Sequence, residues 1–462
     1  MAESYDVVIV GGRCGGSSLA TLLAREGVRV AVVERVTFPR DTLSSHIFQA
    51  PGINLLRRLG VLEHARAAGA ECVRRIDFRQ DEFAVRTEMS LRPGDSGALM
   101  SVRRFVLDPM LAGAAAEAGA DMMTATNVTG LVWRNGDGGR VAGVRVSGGG
   151  AERELSARLV VGADGRNSTV GRLVGSRKYH VVPSQRFAYW GFFEGAQTGS
   201  VPEFVFHHWE GRVVIGCQSD GGLYQVVIVP DNRFLPAFRA DRERAFLEQA
   251  GSSEPVAAAI SGARLAGKLQ GIIRWESFFR QPAGSGWALV GDAGHFKDPT
   301  PGQGMTDAFR HAAALAPAIV SGLTGSDADL DLAVAGWARW RDADAFEHHW
   351  LSCDLGAAGR SPLVLPEIAR RLYDRGQFDA FADIFQHRSK PSQVVTPPRL
   401  VGATVALVAR PGCDRGAVLR EVGGLLRTQA RRQRLRRHPA FVDPAAHADA
   451  GETEVDREPV LA

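Results

Sequence analysis

Tyr5-Asp-Val-Val-Ile-Val-Gly-Gly-Arg-Cys-Gly-Gly16, continued by Ser17-Ser-Leu-Ala-Thr-Leu-Leu-Ala24 and closed by Val28-Arg-Val-Ala-Val-Val-Glu34-Arg35, decides the fold. It reads as an apolar strand, a glycine turn, an Ala/Leu-rich helix and a second apolar strand ending in an acid, the order a dinucleotide site requires. Gly11 lets the chain turn sharply and Gly16 lets the helix pack close to the strand. The amide N–H groups at the helix start, around Gly12, Arg13 and Cys14, attract a pyrophosphate. Glu34, with Arg35 beside it, is placed to accept hydrogen bonds from the hydroxyls of an adenosine ribose. An acid there disfavours a 2′-phosphate, so the tightly held nucleotide is expected to be FAD or NAD rather than NADP. Arg13 stands where G-x-G-x-x-G has its second glycine, and its cation either lies over the pyrophosphate or points into solvent.

Two later segments strengthen this reading. Leu159-Val-Val-Gly-Ala-Asp164-Gly165-Arg-Asn-Ser168 delivers an acid-glycine pair from an apolar strand into a turn. Trp287-Ala-Leu-Val-Gly291-Asp292 does the same, and Asp298-Pro299-Thr-Pro-Gly302-Gln303-Gly304-Met305 follows it. The last stretch opens an Ala/Phe/Leu helix whose N-terminus presents free N–H groups and a partial positive charge.

In these three segments, in this order, the chain resembles the FAD-dependent monooxygenases of the p-hydroxybenzoate hydroxylase type, with their relatives the geranylgeranyl reductases and flavin halogenases. The resemblance spans about residues 5–320. It implies that Asp292 holds the ribityl chain of FAD, that Asp164 and Gly165 support the nucleotide from below, and that the helix start at 302–305 faces the anionic edge of the reduced ring. Arg104-Phe-Val-Leu-Asp108 looks like the family's R-x-x-L-D segment, which implies that Arg104 lies near the phosphates or ribityl.

The resemblance implies an α/β fold: a Rossmann-like FAD-binding domain with an inserted antiparallel-sheet substrate domain and a C-terminal helical region. The expected organisation is a discontinuous FAD-binding domain from 1–75, 100–180 and 285–358, a β-rich substrate domain from 76–99 and 181–284, helices over 359–440 and a disordered tail over 441–462. Residues 128–133 and 141–147 read as a hairpin across 135–139. Runs 186–195, 203–209, 212–218 and 223–229, separated by glycine turns, read as strands of the substrate sheet, with 75–80 and 83–91 added to it. The candidate substrate wall holds Trp190, His207, Trp209, Tyr224 and Trp275, with Phe278. His46 and Lys297 are the candidate catalytic groups, although the sequence offers neither a partner.

Composition sets the outer limits. The 462 residues are 45% hydrophobic and 23% charged, with a net charge of +4, which is ordinary for a soluble protein of two to three domains. Cys14, Cys72, Cys217, Cys353 and Cys413 form no C-x-x-C pair and accompany no zinc-spaced histidines, so no metal is expected and the thiols should be reduced. No apolar run reaches the roughly 20 residues of a membrane span, and no leader precedes the first strand, so a cytoplasmic location is expected. Arg427, Arg431, Arg432, Arg434, Arg436 and Arg437 read as a solvated helix end offset by the acids of 443–458 rather than as a nucleic-acid surface. Arginines 186, 212, 233, 264 and 274 leave an anionic substrate open.

The function expected from all this is an FAD-dependent monooxygenase using NAD(P)H and O2 to oxygenate a small organic molecule at an electron-rich carbon or nitrogen. The alternative is a reductase of isoprenoid double bonds. A halogenase is less expected, because no W-x-W-x-I-P segment is present and the corresponding strand reads Leu223-Tyr-Gln-Val-Val-Ile-Val-Pro230.

Overall fold

Val7 and Ile9 point to one side of the first strand and Val8 and Val10 to the other, and all four are buried. A strand buried on both faces belongs in the middle of a parallel sheet. In the computed structural model, which describes residues 3–134, 136 and 138–437, Glu3–Val10 lies between Val30–Val33 and Ala151–Gly162. Trp287–Leu289 and Asp121–Met123 flank them, and all five strands run parallel. Helices Cys14–Arg25, Arg104–Glu117 and Gly304–Leu323 cover the Val7 face, with Leu19, Leu107 and Phe309 buried against it. The Val8 face is closed by the hairpin of Asn127–Arg134 and Arg140–Gly148, which continues the sheet antiparallel to Ala151–Gly162. Residues 135 and 137 of its connection lie outside the described residues.

The second sheet has seven strands, in the order Arg264–Ile272, Ala188–Glu194, Tyr224–Ile228, Arg212–Gln218, Glu203–Trp209, Arg75–Gln80 and Phe83–Glu88. Every pairing is antiparallel except that of Arg75–Gln80 with Glu203–Trp209, which is parallel. The edge strand Arg264–Ile272 is not among the sequence expectations. Its alternation is broken by glycine, with Gly267 at φ +82° and a register shift opposite Trp190 and Phe192. Side chains alternate across this sheet. Trp190, Phe206, Ile215 and Val227 share one apolar cluster, whereas Phe193, Val205, Tyr224 and Val226 share another with Phe238 and Phe246 of the helices between 235 and 251. The first face looks toward the nucleotide sheet, and the second is sealed by those helices.

Beyond Gly359 the chain is helical, with Val364–Tyr373, Phe378–Phe385, Pro397–Val408 and Arg415–Arg437 packed around Ile368, Leu407 and Val418. Phe378 also stacks into the site-facing cluster beside Phe78. Part of the arginine cluster packs rather than standing in solvent: Arg432 pairs with Asp354 at 2.6 Å and lies over the Trp350 ring. The expected disordered tail, 441–462, lies outside the described residues. The five cysteines are unpaired. Among the described residues no helix is long and apolar enough to cross a membrane, and no cluster could hold a metal ion.

Candidate functional site

The site grows from the first turn. Gly11 has φ +102°, and a Cβ there would meet the Ala163 carbonyl of the neighbouring strand. A Cβ on Gly16 would collide with the backbone oxygen of Gly11, so helix and strand touch where only hydrogen fits. Cys14, Gly15 and Gly16 form the first helical turn, whose N–H groups lack intrahelical acceptors. Glu34 turns its carboxylate into the turn, accepting from the Gly12 amide at 2.8 Å and the Val36 amide at 3.1 Å. Two backbone donors fix that carboxylate, and it also lines the cavity.

Arg13 lines the cavity beside the helix start. Its guanidinium pairs with Asp108 at 2.6 Å and retains 22% side-chain exposure. The other oxygen of Asp108 takes Arg104 at 2.7 Å. A fully buried carboxylate thus fixes two cations, and both arginines line the cavity. The same acid lies 3.7 Å from the Cys14 thiol, and burial pushes that thiol up to about 12, so it stays protonated. Sequence reasoning placed Asp108 within R-x-x-L-D but gave a role only to Arg104, although the one-turn helical spacing of the two carried the signal for the pair.

Asp164 spends its carboxylate on the helix Thr169–Leu173, accepting from Ser168 Oγ at 2.6 Å and the Thr169 amide at 2.6 Å. It shapes the turn that brings Gly165 and Arg166 to the cavity wall. Asp292 differs: it lines the same cavity, and no hydrogen-bond partner for its carboxylate is found among the described residues. Burial raises it to about 6, with Arg104 acting the other way. Gly291, at φ +61°, lets the chain pass the helix at Ala308.

The far end is built by 297–307. Pro299, Gly302, Gly304 and Met305 line the cavity, and Gly302 adopts φ +65° immediately before the Gly304–Leu323 helix. Gln303 faces away from the cavity, donating to the Phe385 carbonyl at 3.2 Å and accepting from Lys297 at 2.9 Å. Lys297 is 4% exposed and also pairs with Asp307 at 2.7 Å. Burial pulls its ammonium down and Asp307 holds it up. Behind the pair sit His295 and His387, 4.0 and 3.4 Å from Asp307, both held neutral by burial.

Of the five aromatic candidates for the substrate wall, only Trp190 lines the cavity. Tyr224, His207 and Trp209 lie on the opposite face of the sheet, with His207 stacked on Trp209 and bonded to Ser253. The reason is the two-residue period of a strand: residue type selects aromatics, but parity selects the face. The same parity would have found Val227 and Val229, which do line the cavity along with Ala188, Ile272 and Phe296. Trp275 lies in the core on the site side, donating to Asp298 at 3.0 Å, and Phe278 packs on Phe296. His46 lies behind the wall, fully buried against Phe192, with its Nδ1 accepting from the Arg104 amide at 3.0 Å. Burial, then Arg104 and Arg103, lowers it to about 3, so it is neutral at pH 7 and has no imidazolium proton to donate. The arginines that left an anionic substrate open do not line the cavity: Arg186 is buried among backbone carbonyls and Asp231, and Arg264 pairs with Glu194.

The whole is one cavity of about 600 Å³ running from Glu34 and Arg35, past Arg104 and Asp292, to Trp190 and the 304–323 helix start. A second opening, bordered by Arg35, Arg40 and Asn127, adjoins it at the Glu34 end. The arrangement fits FAD. Glycines let strand, turn and helix meet closely at the head of the cavity, an acid marks the nucleoside end, and two cations lie beside a helix N-terminus where phosphates would sit. Further along, an unpartnered carboxylate faces the stretch that ribityl hydroxyls would cross.

Comparison with known proteins agrees. Residues 4–336 match the FAD binding domain family. The chain is 30% identical over 335 residues to 6-methylpretetramide 4-monooxygenase of Streptomyces rimosus, covering 70% of this chain and 77% of that one. It is 27% identical over 336 residues to digeranylgeranylglycerophospholipid reductase of Methanocella arvoryzae, covering 67% and 76%. The flavin-dependent brominase Bmp2 superposes with a TM-score of 0.66 at 19% identity, over 92% of this chain and 100% of the brominase, which shows a shared fold.

Proposed function

The chain belongs to the FAD-binding domain family and is an FAD-dependent oxidoreductase; from that premise we propose that it is a monooxygenase that uses NAD(P)H and O2 to oxygenate a small organic molecule at an electron-rich carbon or nitrogen. The observation that carries this is the far end of the cavity, where Trp190, Val227, Val229, Ile272 and Phe296 line it with apolar side chains together with the 304–323 helix start. Bound FAD would supply the hydride acceptor and the activation of oxygen.

This chain's own residues would do the rest. Glu34 and the first-turn amides of 14–16 would hold the adenosine and pyrophosphate, with Arg13 and Arg104 kept in place by Asp108. Asp292 would take the ribityl hydroxyls. The N–H groups of the 304–323 helix start would stabilise negative charge at the ring edge, with Lys297 holding Gln303 and Asp307 of that helix start in place from behind. The apolar wall would exclude water and orient the substrate. Similarity to the monooxygenase at 30% identity supports the same reading.

The test is rapid mixing of anaerobically reduced holoenzyme with oxygenated buffer. Reoxidation in two resolved phases, with an absorbance between them that belongs to neither the reduced nor the oxidised holoenzyme, is the expected result. A single phase releasing one hydrogen peroxide per flavin, together with anaerobic reoxidation by a polyprenyl compound, would assign an isoprenoid reductase instead.

A further inference from the structure

Residues 397–437 carry ten arginines against two acids, Asp414 and Glu421, and they lie beyond the stretch that matches the family. Arg432 is engaged by Asp354, Arg436 by Glu347 and Arg410 by Glu367. Arg427, Arg431 and Arg434 are exposed and have no ion-pair partner among the described residues. Their spacing of four and three residues sets them in one row along Arg415–Arg437.

The same helical unit holds a groove of about 130 Å³ between Val364–Tyr373 and Pro397–Val408. Ile368, Arg371, Leu372 and Arg375 follow one another at helical spacing, so the buried Ile368 and Leu372 make its floor and the two arginines its rim. Arg399 borders it from the other helix, where Gly402 stands against the Arg371 guanidinium. No carboxylate is among the lining residues. The neighbouring acids, Glu367 and Asp374, are taken by Arg370 at 2.6 and 2.9 Å. Among the described residues the side chains of Arg371 and Arg375 have no hydrogen bond or ion pair, and Arg399 gives one N–H to the Val394 carbonyl at 3.0 Å.

Three cations that converge without a carboxylate repel one another until an anion joins them. Guanidinium N–H donors match the oxygens of a phosphate. The volume is below the roughly 300 Å³ at which pockets for whole small molecules begin, so it suits a single phosphate group. From the groove, Pro398, Val401 and Val405 run along one face of their helix, and both valines are more than 60% exposed. A second copy of the chain would bring the same arginines and be repelled. An acidic protein would answer the charge but not the aliphatic row, whereas an anionic lipid surface answers both. We propose that the C-terminal helices dock on an anionic lipid bilayer, with the groove of Arg371, Arg375 and Arg399 holding a lipid phosphate and Val401 and Val405 entering the headgroup layer. The row of Arg427, Arg431 and Arg434 adds to the positive field that draws the protein to the surface. Among the described residues no helix is long and apolar enough to cross the bilayer, so the contact is peripheral.

The experiment is co-sedimentation of the FAD-loaded full chain with vesicles of phosphatidylcholine alone and of phosphatidylcholine containing phosphatidylglycerol. Binding to the second and not the first is expected, and it should fall as added salt screens the charges. Arg371→Gln with Arg375→Gln should weaken it by roughly 25-fold, about fivefold for each basic residue at an anionic surface. Val401→Ser with Val405→Ser should weaken it at high and low salt alike. Flavin content and Tm of both variants would confirm that each is folded and loaded. Equal binding to the two vesicle types, no binding to either, or binding unmoved by the arginine pair overturns the proposal. So does release from the vesicles by inorganic phosphate at no more than the concentration of lipid phosphate, which would make the groove a site for the free ion. Displacement by polyglutamate with no effect of the valine pair also overturns it, in favour of an acidic protein. Binding gained only when the acids of 443–458 are neutralised would give the arginines to that segment of the chain instead.

Discussion

Asp292 is the residue on which cofactor affinity should turn, and its burial gives that affinity a pH dependence. An exposed aspartate titrates near about 3.9, whereas burial lifts this one to about 6. A carboxyl raised in the folded state contributes stability below its unfolded value and loses it as pH rises through the folded value. Asp292 therefore favours the folded chain without FAD below about pH 4 and loses that contribution toward pH 6 and above. Ribityl hydroxyls donate more strongly to the ionised form than to the protonated one, so FAD binding below pH 6 should release a proton. The expected outcome is FAD affinity that rises with pH, by up to about tenfold per unit as the single-proton limit, and levels off above pH 6. Asp292→Asn should remove the dependence and lower the plateau by about 1.5–3 kcal/mol, the worth of a hydrogen bond to a charged group. Fluorescence titration of the FAD-free protein at pH 5, 6 and 7.5 checks both, and an unchanged slope in the variant would place the ribityl elsewhere.

Among the elements, the strand-turn-helix unit of residues 3–25 was legible in the sequence because its chemistry is local. Gly11 and Gly16 are needed where backbone meets backbone, and no distant residue alters that. The contact makes a sharp prediction: Gly16→Ala puts a methyl group into the Gly11 carbonyl. Neither atom is a flexible side-chain end, so the helix must move, and the variant should lose FAD and several degrees of Tm. Gly15→Ala in the same turn meets nothing nearer than 3.7 Å and should keep both. Differential scanning fluorimetry with and without added FAD separates the two. The sheet was legible in its strand boundaries, since Arg75–Gln80, Glu203–Trp209 and Arg212–Gln218 stand as the turns between them imply. Its faces were not. Tyr224 and Val227 belong to one strand, and which of them meets the cavity depends on the helices between 235 and 251 covering the other side. That is a tertiary fact with no local signature. His46 shows the same limit, because its burial and its bond to the Arg104 amide come from a segment 58 residues away in sequence.

At the scale of the molecule, the C-terminal helices brace the cavity from behind. Gln386 accepts from the Ala50 amide at 3.1 Å, and the Phe385 carbonyl accepts from Gln303, which in turn bonds Lys297. Arg388 joins Asp95 to Asp383 at 2.7 and 3.0 Å, and Phe378 and Phe381 close over Phe78. The family match stops at residue 336, so these contacts come from chain beyond it. Removing them would expose the Phe78 cluster and leave the Ala50 N–H without its acceptor. A chain ending at Gly359 should therefore aggregate, or fold without retaining FAD through gel filtration, rather than behave as a smaller flavoprotein. Gln386→Ala is the milder probe: an unsatisfied buried amide costs about 1–3 kcal/mol, to be read as a lowered Tm with FAD bound. Because Gln386 meets the chain at Ala50, just after Gln49 bonds Thr306 and the Gly302 carbonyl, the variant should also weaken FAD binding measurably. A soluble 1–359 chain holding one FAD at undiminished affinity would show instead that the helical region is an appendage and that the cavity stands on its two sheets alone.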